Sequence, residues 1–524
     1  MVQMMGLTNK KKSKTIILEI LFALFILLIF YFILFRYFGI TPKIEKENPR
    51  FVKIDYPQLR IEAESIGNPS ELINENAKNV FVLTYHVVSK DPPKDEYELS
   101  YDQFKQNMFA LKSQGYQTVS LDDLYLFLGG EKNLPDKSFV LTFDDAAKTA
   151  YYNVDPILEA LDYNAVMFVI TGHSLEGVES PYYMNESELI AAEQTGRWEI
   201  QSHTHESHYR LPIASTGEIA PALTNKLWIG EENRLETDEE FFARISNDLN
   251  KAKDLLENKF SRPVIAFALP FGDFGERGSN YAEANNIVHD LTADTYNLVF
   301  YEFPLKNRLY KGNYQGIKQD SYLVARFAAD SFRTPDKLLQ RIQSSRALKL
   351  PYYESYTNYD LWPRLSGGAS FEENSIVLRK GANSSDDAVF AYLDGSYLWK
   401  DYTYSLQLKN LEASSVFLIF RLTKGGDYTA CKYGNGLVRI IEVKKNIQII
   451  IKEGNLPKDL FYRTDLSMTV LGTHVRCMMD GKEVLSAEVP NMPAYGGVGI
   501  KAEGFGGENA TFAFGNIEVR EENS

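Results

Sequence analysis

The sequence predicts an α/β protein: an incomplete parallel (β/α) barrel followed by a β-sandwich, with one apolar helix ahead of both. Three observations predict it. Between residues 76 and 350, short apolar runs alternate with amphipathic stretches, the rhythm of β-α units. From about residue 351 the pattern changes to short strands of alternating polarity separated by turn residues, the rhythm of a sandwich. Residues 16–35 form an apolar run with a single charge, Glu19.

That first run is long enough, at ~1.5 Å per residue, to cross a ~30 Å hydrocarbon layer. Lys10, Lys11, Lys12 and Lys14 precede it, so the positive-inside rule puts residues 1–15 in the cytoplasm and everything after the span outside. Arg36-Tyr37-Phe38 follows where a cleaved signal would carry a small-x-small site, which favours an uncleaved anchor over residues 16–38. Residues 39–75, with Pro42, Pro49 and Pro57 among many charges, read as a stalk.

The barrel region, residues 76–350, has strand signals at 80–88, 116–119, 138–143, 165–170, 198–202, 264–268, 297–301 and 322–327. Between the first two, Phe104, Met108 and Leu111 share a helical face, with Ser100 as N-cap and Gly115 as stop. Thr237 and Glu240 form a capping box ahead of the stripe Phe242, Ile245, Leu249, Ala252 and Leu256. Thr334-Pro335 is a cap followed by proline at the first helical position. The polar stretch 211–236 interrupts the rhythm as a solvated insertion or a loop over a groove.

Residues 351–375 read as a linker or the first sandwich strand, and 376–524 as the sandwich itself. Tyr404, Leu406 and Leu408 alternate with polar residues, Asp480-Gly481 marks a hairpin, and Phe512 and Phe514 precede a bulge candidate, Gly515. Further strands fit 416–422, 437–443 and 447–452. Tyr397, Trp399 and Tyr402 are candidates to stack on sugars or to fill a core. The two cysteines, Cys431 and Cys477, fit either a disulfide or two buried thiols.

A length of 524 residues allows two or three domains, and 44% hydrophobic content can fill their cores. The formal charge of −14 excludes nucleic acid as a partner, since phosphates need a basic surface, but tolerates a polymer that becomes cationic.

Chemistry concentrates at strand ends. The run 138–143 stops in two adjacent carboxylates, Asp144 and Asp145, whose side chains leave a strand end in different directions; one can bind a metal while the other moves a proton. Trp198-Glu199-Ile200-Gln201-Ser202 runs into His203, His205 and His208, three of the chain's seven histidines. A carboxylate with two imidazoles leaves coordination positions open for water and substrate, the pattern of a catalytic metal site. His203 and His205 share a face if the strand continues; His203 and His208 converge only if the chain turns between them.

These motifs resemble the NodB-type polysaccharide deacetylases, carbohydrate esterase family 4, over roughly residues 76–350. Their Thr-Phe-Asp-Asp is matched by Thr142 to Asp145, and their His-Thr with a spaced His by His203, Thr204 and His208. The spacing of five, together with Tyr85-His86, is similar to the branch acting on poly-N-acetylglucosamine and related biofilm exopolysaccharides. In the third motif Ala268-Leu269-Pro270-Phe271 stands for Arg-x-Pro-Tyr, so the arginine that orients the base is missing; the fourth motif and the late Leu-x-His are absent too. After residue 351, Val475 to Gly481 and Gly496 to Ile500 resemble concanavalin-like jelly rolls.

The resemblance implies a hydrolase acting on amide C–N bonds that removes N-acetyl groups from amino sugars of a surface polysaccharide, and the apolar amino-terminal run makes it membrane-anchored and extracytoplasmic. Asp145, His203 and His208 would hold a divalent metal, zinc first, with cobalt or nickel as alternatives. Asp144 would be the base and His86 the acid that replaces the missing motif. The backbone N–H of Phe271, beside Pro270, would receive the oxyanion, and His205 would sit behind the ligands or on substrate. Implied partners are the N-acetylated polymer, the membrane and a polysaccharide synthase or export complex. A peptidoglycan deacetylase and an inactive glycan-binding scaffold remain as alternatives.

Overall fold

Alternate residues of the barrel strands divide between two cores. Phe81, Leu83, Phe139, Leu141, Met167 and Val299 pack outward against helices, while Val80, Val82, Val140, Val166, Phe168, Phe300 and Val324 fill the interior. Both faces are buried, which is why these strands read as near-continuous apolar runs. The computed structural model describes residues 51–66, 76–303, 309, 312–316, 322–358, 361–380, 388–445, 447–457, 460, 463–505 and 510–522.

The strands are Asn79–Tyr85, Ser138–Phe143, Ala165–Val169, Trp198–Ser202, Ala266–Ala268, Leu298–Glu302 and Leu323–Ala328. They are all parallel, and the pairing of Asn79–Tyr85 with Ser138–Phe143 closes the sheet into a ring. The expected incompleteness therefore holds for strand number, seven rather than eight, and not for closure. Asn313–Tyr314 adds antiparallel and Gln117–Thr118 parallel at the outside of the ring. Leu121, Leu124 and Phe127, from the helix Leu121–Gly129, join the interior core.

The helix Tyr101–Ser113 has the Ser100 cap, closed as a box with Gln103. The Thr237–Glu240 box opens Asp238–Phe260. Its buried stripe begins at Phe241 rather than Phe242, which is half exposed, because 241, 245, 249 and 252 follow the i, i+4 and i, i+3 spacing of one helical face. Thr334 precedes Pro335–Gln343 without a side-chain capping bond.

Two expectations near the amino terminus separate. The predicted cytoplasmic tail, anchor and first part of the stalk (1–50) lie outside the described residues, as do 67–75. Among the described residues, no helix is long and apolar enough to cross a membrane. Within the predicted stalk, however, Tyr56–Ser65 is helical: Asp55 caps it, Leu59 is buried, and Val52 N–H donates to Asn153 Oδ1 at 2.9 Å. Prolines and charges suggested an extended spacer, but Pro57 falls in the first turn, where its missing N–H is not needed.

The sandwich has an eight-stranded and a seven-stranded sheet. Its first strands, Tyr352–Tyr353, Arg364–Ser366 and Gly368–Glu372, lie in the predicted linker segment. Cys431 and Cys477 form a disulfide that joins the two sheets, so the thiol alternative fails. Tyr397, Trp399 and Tyr402 are all buried and so do not stack on sugars. Tyr397 instead meets Tyr314 of the barrel, ring centroids 5.5 Å apart, and Leu309 N–H donates to the Lys424 carbonyl at 2.9 Å; these contacts fix barrel to sandwich.

Candidate metal centre and catalytic site

Asp144 and Asp145 diverge because the chain turns sharply between them. Asp144 N–H still donates to the Tyr85 carbonyl, the last rung of the strand, whereas Asp145 and Ala146 have φ of 67° and 57°. Such left-handed backbone is costly for residues with a Cβ and is kept where the fold over-determines it.

Asp144 turns into the barrel end. Both its oxygens accept from the Arg326 guanidinium, Nη1 and Nη2 at 2.6 Å each, and Nη1 also reaches Thr84 Oγ1 at 3.2 Å. Arg326 is fully buried over the Phe168 ring. Burial alone would raise the Asp144 pKa, but the Arg326 charge and its two hydrogen bonds hold it well below the usual carboxylate range. The third motif lacks its arginine; a guanidinium reaches the expected base all the same, from the last barrel strand.

Asp145 turns toward the histidines. Its Oδ1 lies 3.6 Å from His203 Nε2 and 3.4 Å from His208 Nε2, and the three donor atoms form one cluster. Thr204, with φ of 74°, makes the chain turn, so His203 and His208 converge with ring centroids 4.7 Å apart. His205 does not join them: its Nδ1 meets Thr171 Oγ1 at 2.9 Å and its Nε2 lies 3.5 Å from Glu176.

Asp248, buried on the helix Asp238–Phe260, shapes this turn. Its carboxylate accepts from the backbone N–H groups of His205, Glu206 and Ser207 at 3.1, 2.6 and 3.0 Å. Gly172 packs against the other side, where a Cβ would lie 2.5 Å from the His205 carbonyl oxygen.

The donor set fits a divalent metal. His203 Nδ1 faces the Ala268 carbonyl at 2.8 Å and must carry the proton there, so its Nε2 lone pair faces the cluster. Burial pushes both His203 and His208 down to about 4, keeping them neutral. Asp145 Oδ1 is buried without a hydrogen-bond partner among the described residues, as an acceptor reserved for a cation would be. Two neutral imidazoles and a carboxylate are zinc-type ligands that leave positions open.

His86 stands on the other side of Asp144. Its Nδ1 bonds the buried Asp330 at 3.0 Å, and its Nε2 lies 3.8 Å from Asp144 Oδ2. Burial opposes the charged imidazolium, but the Asp330 hydrogen bond and charge outweigh it and push His86 up to about 10. Phe271 has a left-handed φ of 58°, its ring 5.1 Å from that of His208, and Pro270 is buried before it. His173 stacks on Tyr183 at 4.1 Å and meets the half-exposed Tyr209 edge-on. Tyr97, also half exposed, meets His86 edge-on at 5.1 Å.

Arg326, Asp330 and Asp248 were not singled out in the sequence. Each left one trace: Arg326 is a charge inside an apolar strand, Asp330 follows four residues later, and Asp248 is an acid on the buried stripe of a helix.

A parallel barrel with a two-histidine, one-carboxylate cluster beside an arginine-clamped carboxylate defines a hydrolase type of site whose donor set could take a divalent metal. Residues 131–288, within the barrel, match the family model described as Polysaccharide deacetylase. The chain is 29% identical over 209 residues to a poly-beta-1,6-N-acetyl-D-glucosamine N-deacetylase of Escherichia coli K12, covering 37% of this chain and 31% of that protein. It is 26% identical over 224 residues to the Staphylococcus aureus MRSA252 protein of the same name, covering 40% of this chain and 70% of that one. A de-N-acetylase structure from Aggregatibacter actinomycetemcomitans superposes with a TM-score of 0.42 at 21% identity, over 50% of this chain and 99% of that chain. The chain thus spans under a third of the E. coli relative.

Proposed function

We propose that this protein is a metal-dependent N-deacetylase that removes acetyl groups from amino-sugar units of an extracellular polysaccharide. The observation that carries the reading is the division of labour between adjacent carboxylates, Asp144 clamped by Arg326 and Asp145 set among two neutral histidines. The names of the relatives favour poly-N-acetylglucosamine as the polymer.

Asp145, His203 and His208 would hold the cation, zinc by donor chemistry. When bound, it supplies a Lewis acid that polarises the acetamide carbonyl and lowers the pKa of water toward ~7. Asp144, kept ionised by Arg326, takes a proton from the attacking water. The backbone N–H of Phe271, placed by Pro270, meets the developing oxyanion. His86, protonated through Asp330, gives its Nε2 proton to the departing nitrogen. His205 holds its loop and is left out of the chemistry.

An anchored, extracytoplasmic location is part of this proposal. The apolar run 16–35 and its basic flank support it, and the Cys431–Cys477 disulfide suits an oxidising compartment. Acetate release by purified protein from poly-N-acetylglucosamine, beside peptidoglycan, tests the reading. Release from the first and not the second is expected; release from neither overturns it.

A further inference from the structure

One carboxylate at the site has no part in that scheme. Glu302 ends the strand Leu298–Glu302, in register with Arg326 on the neighbouring strand. One oxygen of Glu302, one of Asp144 and a ring nitrogen of His86 all lie within 4.8 Å of one another. The Glu302 side chain lies along Gly272 of the third motif, where a Cβ would come within 2.6 Å of the Glu302 Cβ and 2.8 Å of its Cδ. Gly272 also has a left-handed φ of 73°, so a side chain there is doubly excluded and the position of Glu302 is kept clear.

These three groups are not a second cation site. Both oxygens of Asp144 are taken by Arg326 at 2.6 Å, and the guanidinium would repel a metal ion. What fits between a proton-donating imidazole and a second acidic side chain is a nitrogen that gains a proton and still carries N–H bonds.

Resting on the deacetylase reading, we infer that Glu302 is a catalytic residue whose carboxylate accepts a hydrogen bond from the leaving amide nitrogen. As the carbonyl C–N bond breaks, its electron pair stays on nitrogen, which takes the Nε2 proton of His86. The carbonyl carbon, already bonded to the water oxygen, leaves as acetate. The nitrogen becomes more positive through this step, so its hydrogen bond to Glu302 strengthens in the transition state, where it raises turnover rather than binding.

An ester supplies the test, because its leaving oxygen carries no N–H. Acetate release from poly-N-acetylglucosamine and hydrolysis of 4-nitrophenyl acetate are measured for the metal-loaded wild type, Glu302→Gln and Glu302→Ala, with metal content checked in each. Loss of one charge-assisted hydrogen bond predicts a 10- to 100-fold fall in the ratio of amide to ester turnover for both variants, mainly in kcat. An unchanged ratio overturns the inference, whether both activities persist or both fall together, the latter making Glu302 a support for Arg326. A wild type that hydrolyses the ester but releases no acetate from N-acetylated polymers removes the deacetylase reading, and this inference with it.

Discussion

Arg326 and Asp144 form a buried two-pronged ion pair that spans 182 positions of the chain, each guanidinium nitrogen 2.6 Å from a separate carboxylate oxygen. The third motif carries no arginine, so here the last barrel strand supplies the charge that keeps Asp144, the proposed base, ionised.

Removing that charge should move the acid side of the pH–rate profile. Asp144 must be ionised to act, and in the wild type its depressed pKa keeps it so across ordinary pH. In Arg326→Gln, burial is left to raise it, so activity should vanish at higher pH than in wild type. A kcat profile that keeps the wild-type acid limb would contradict this role. Breaking a buried pair typically costs about 3–5 kcal/mol, so a lower Tm is expected as well.

His86 and Asp330 govern the alkaline side. A general acid works only while protonated, and Asp330 keeps His86 protonated to about 10. In Asp330→Asn the imidazole loses the charge that outweighed burial, so activity should fade from near neutrality upward. The same pair adds stability that is complete below the ordinary histidine value and lost as pH rises through the raised one. Equal alkaline limbs in the two proteins would rule the pairing out as the cause.

Asp248 predicts an effect on metal affinity without contact to the metal. Asp248→Ala frees three backbone N–H groups in the turn between His203 and His208, so zinc Kd should rise at least tenfold by competition with a chelator. A Tm loss with unchanged Kd would assign Asp248 to folding alone.

Much of this was legible in the sequence for a local reason. Ser138–Phe143 is buried throughout, so an apolar run marked it to the residue, and Trp198–Ser202 shows instead a short run in which Trp198 and Ile200 alternate with Glu199 and Gln201. The carboxylate pair and the histidines stand next to those runs. Arg326 and Asp248 escaped because their partners lie 182 and 41–43 positions away, and no local pattern records such a pairing. Tyr56–Ser65 escaped because it buries only Leu59 and shows no apolar stripe. Tyr397, Trp399 and Tyr402 show the converse: aromatic residues near a glycan enzyme invite a sugar-stacking role, yet the barrel contact and the sandwich core had already taken them.

The disulfide predicts how the sandwich responds to reduction. Cys431→Ser with Cys477→Ser should lower the stability of that domain by about 2–4 kcal/mol, since the bridge closes a loop across 46 positions. Acetate release should persist, because neither cysteine lies in the barrel. Denaturant unfolding followed separately from activity checks both halves of the claim.

The proposed mechanism assigns adjacent carboxylates different work, and one paired measurement tests that directly. Asp144→Asn and Asp145→Ala are compared for bound metal and for acetate release at saturating zinc. Asp144→Asn should keep one metal per chain while turnover falls roughly 10²- to 10⁴-fold, because an amide cannot take the proton of water. Asp145→Ala should lose metal and activity together. Equal metal loss in both variants, or near-wild-type turnover in Asp144→Asn, would contradict the account.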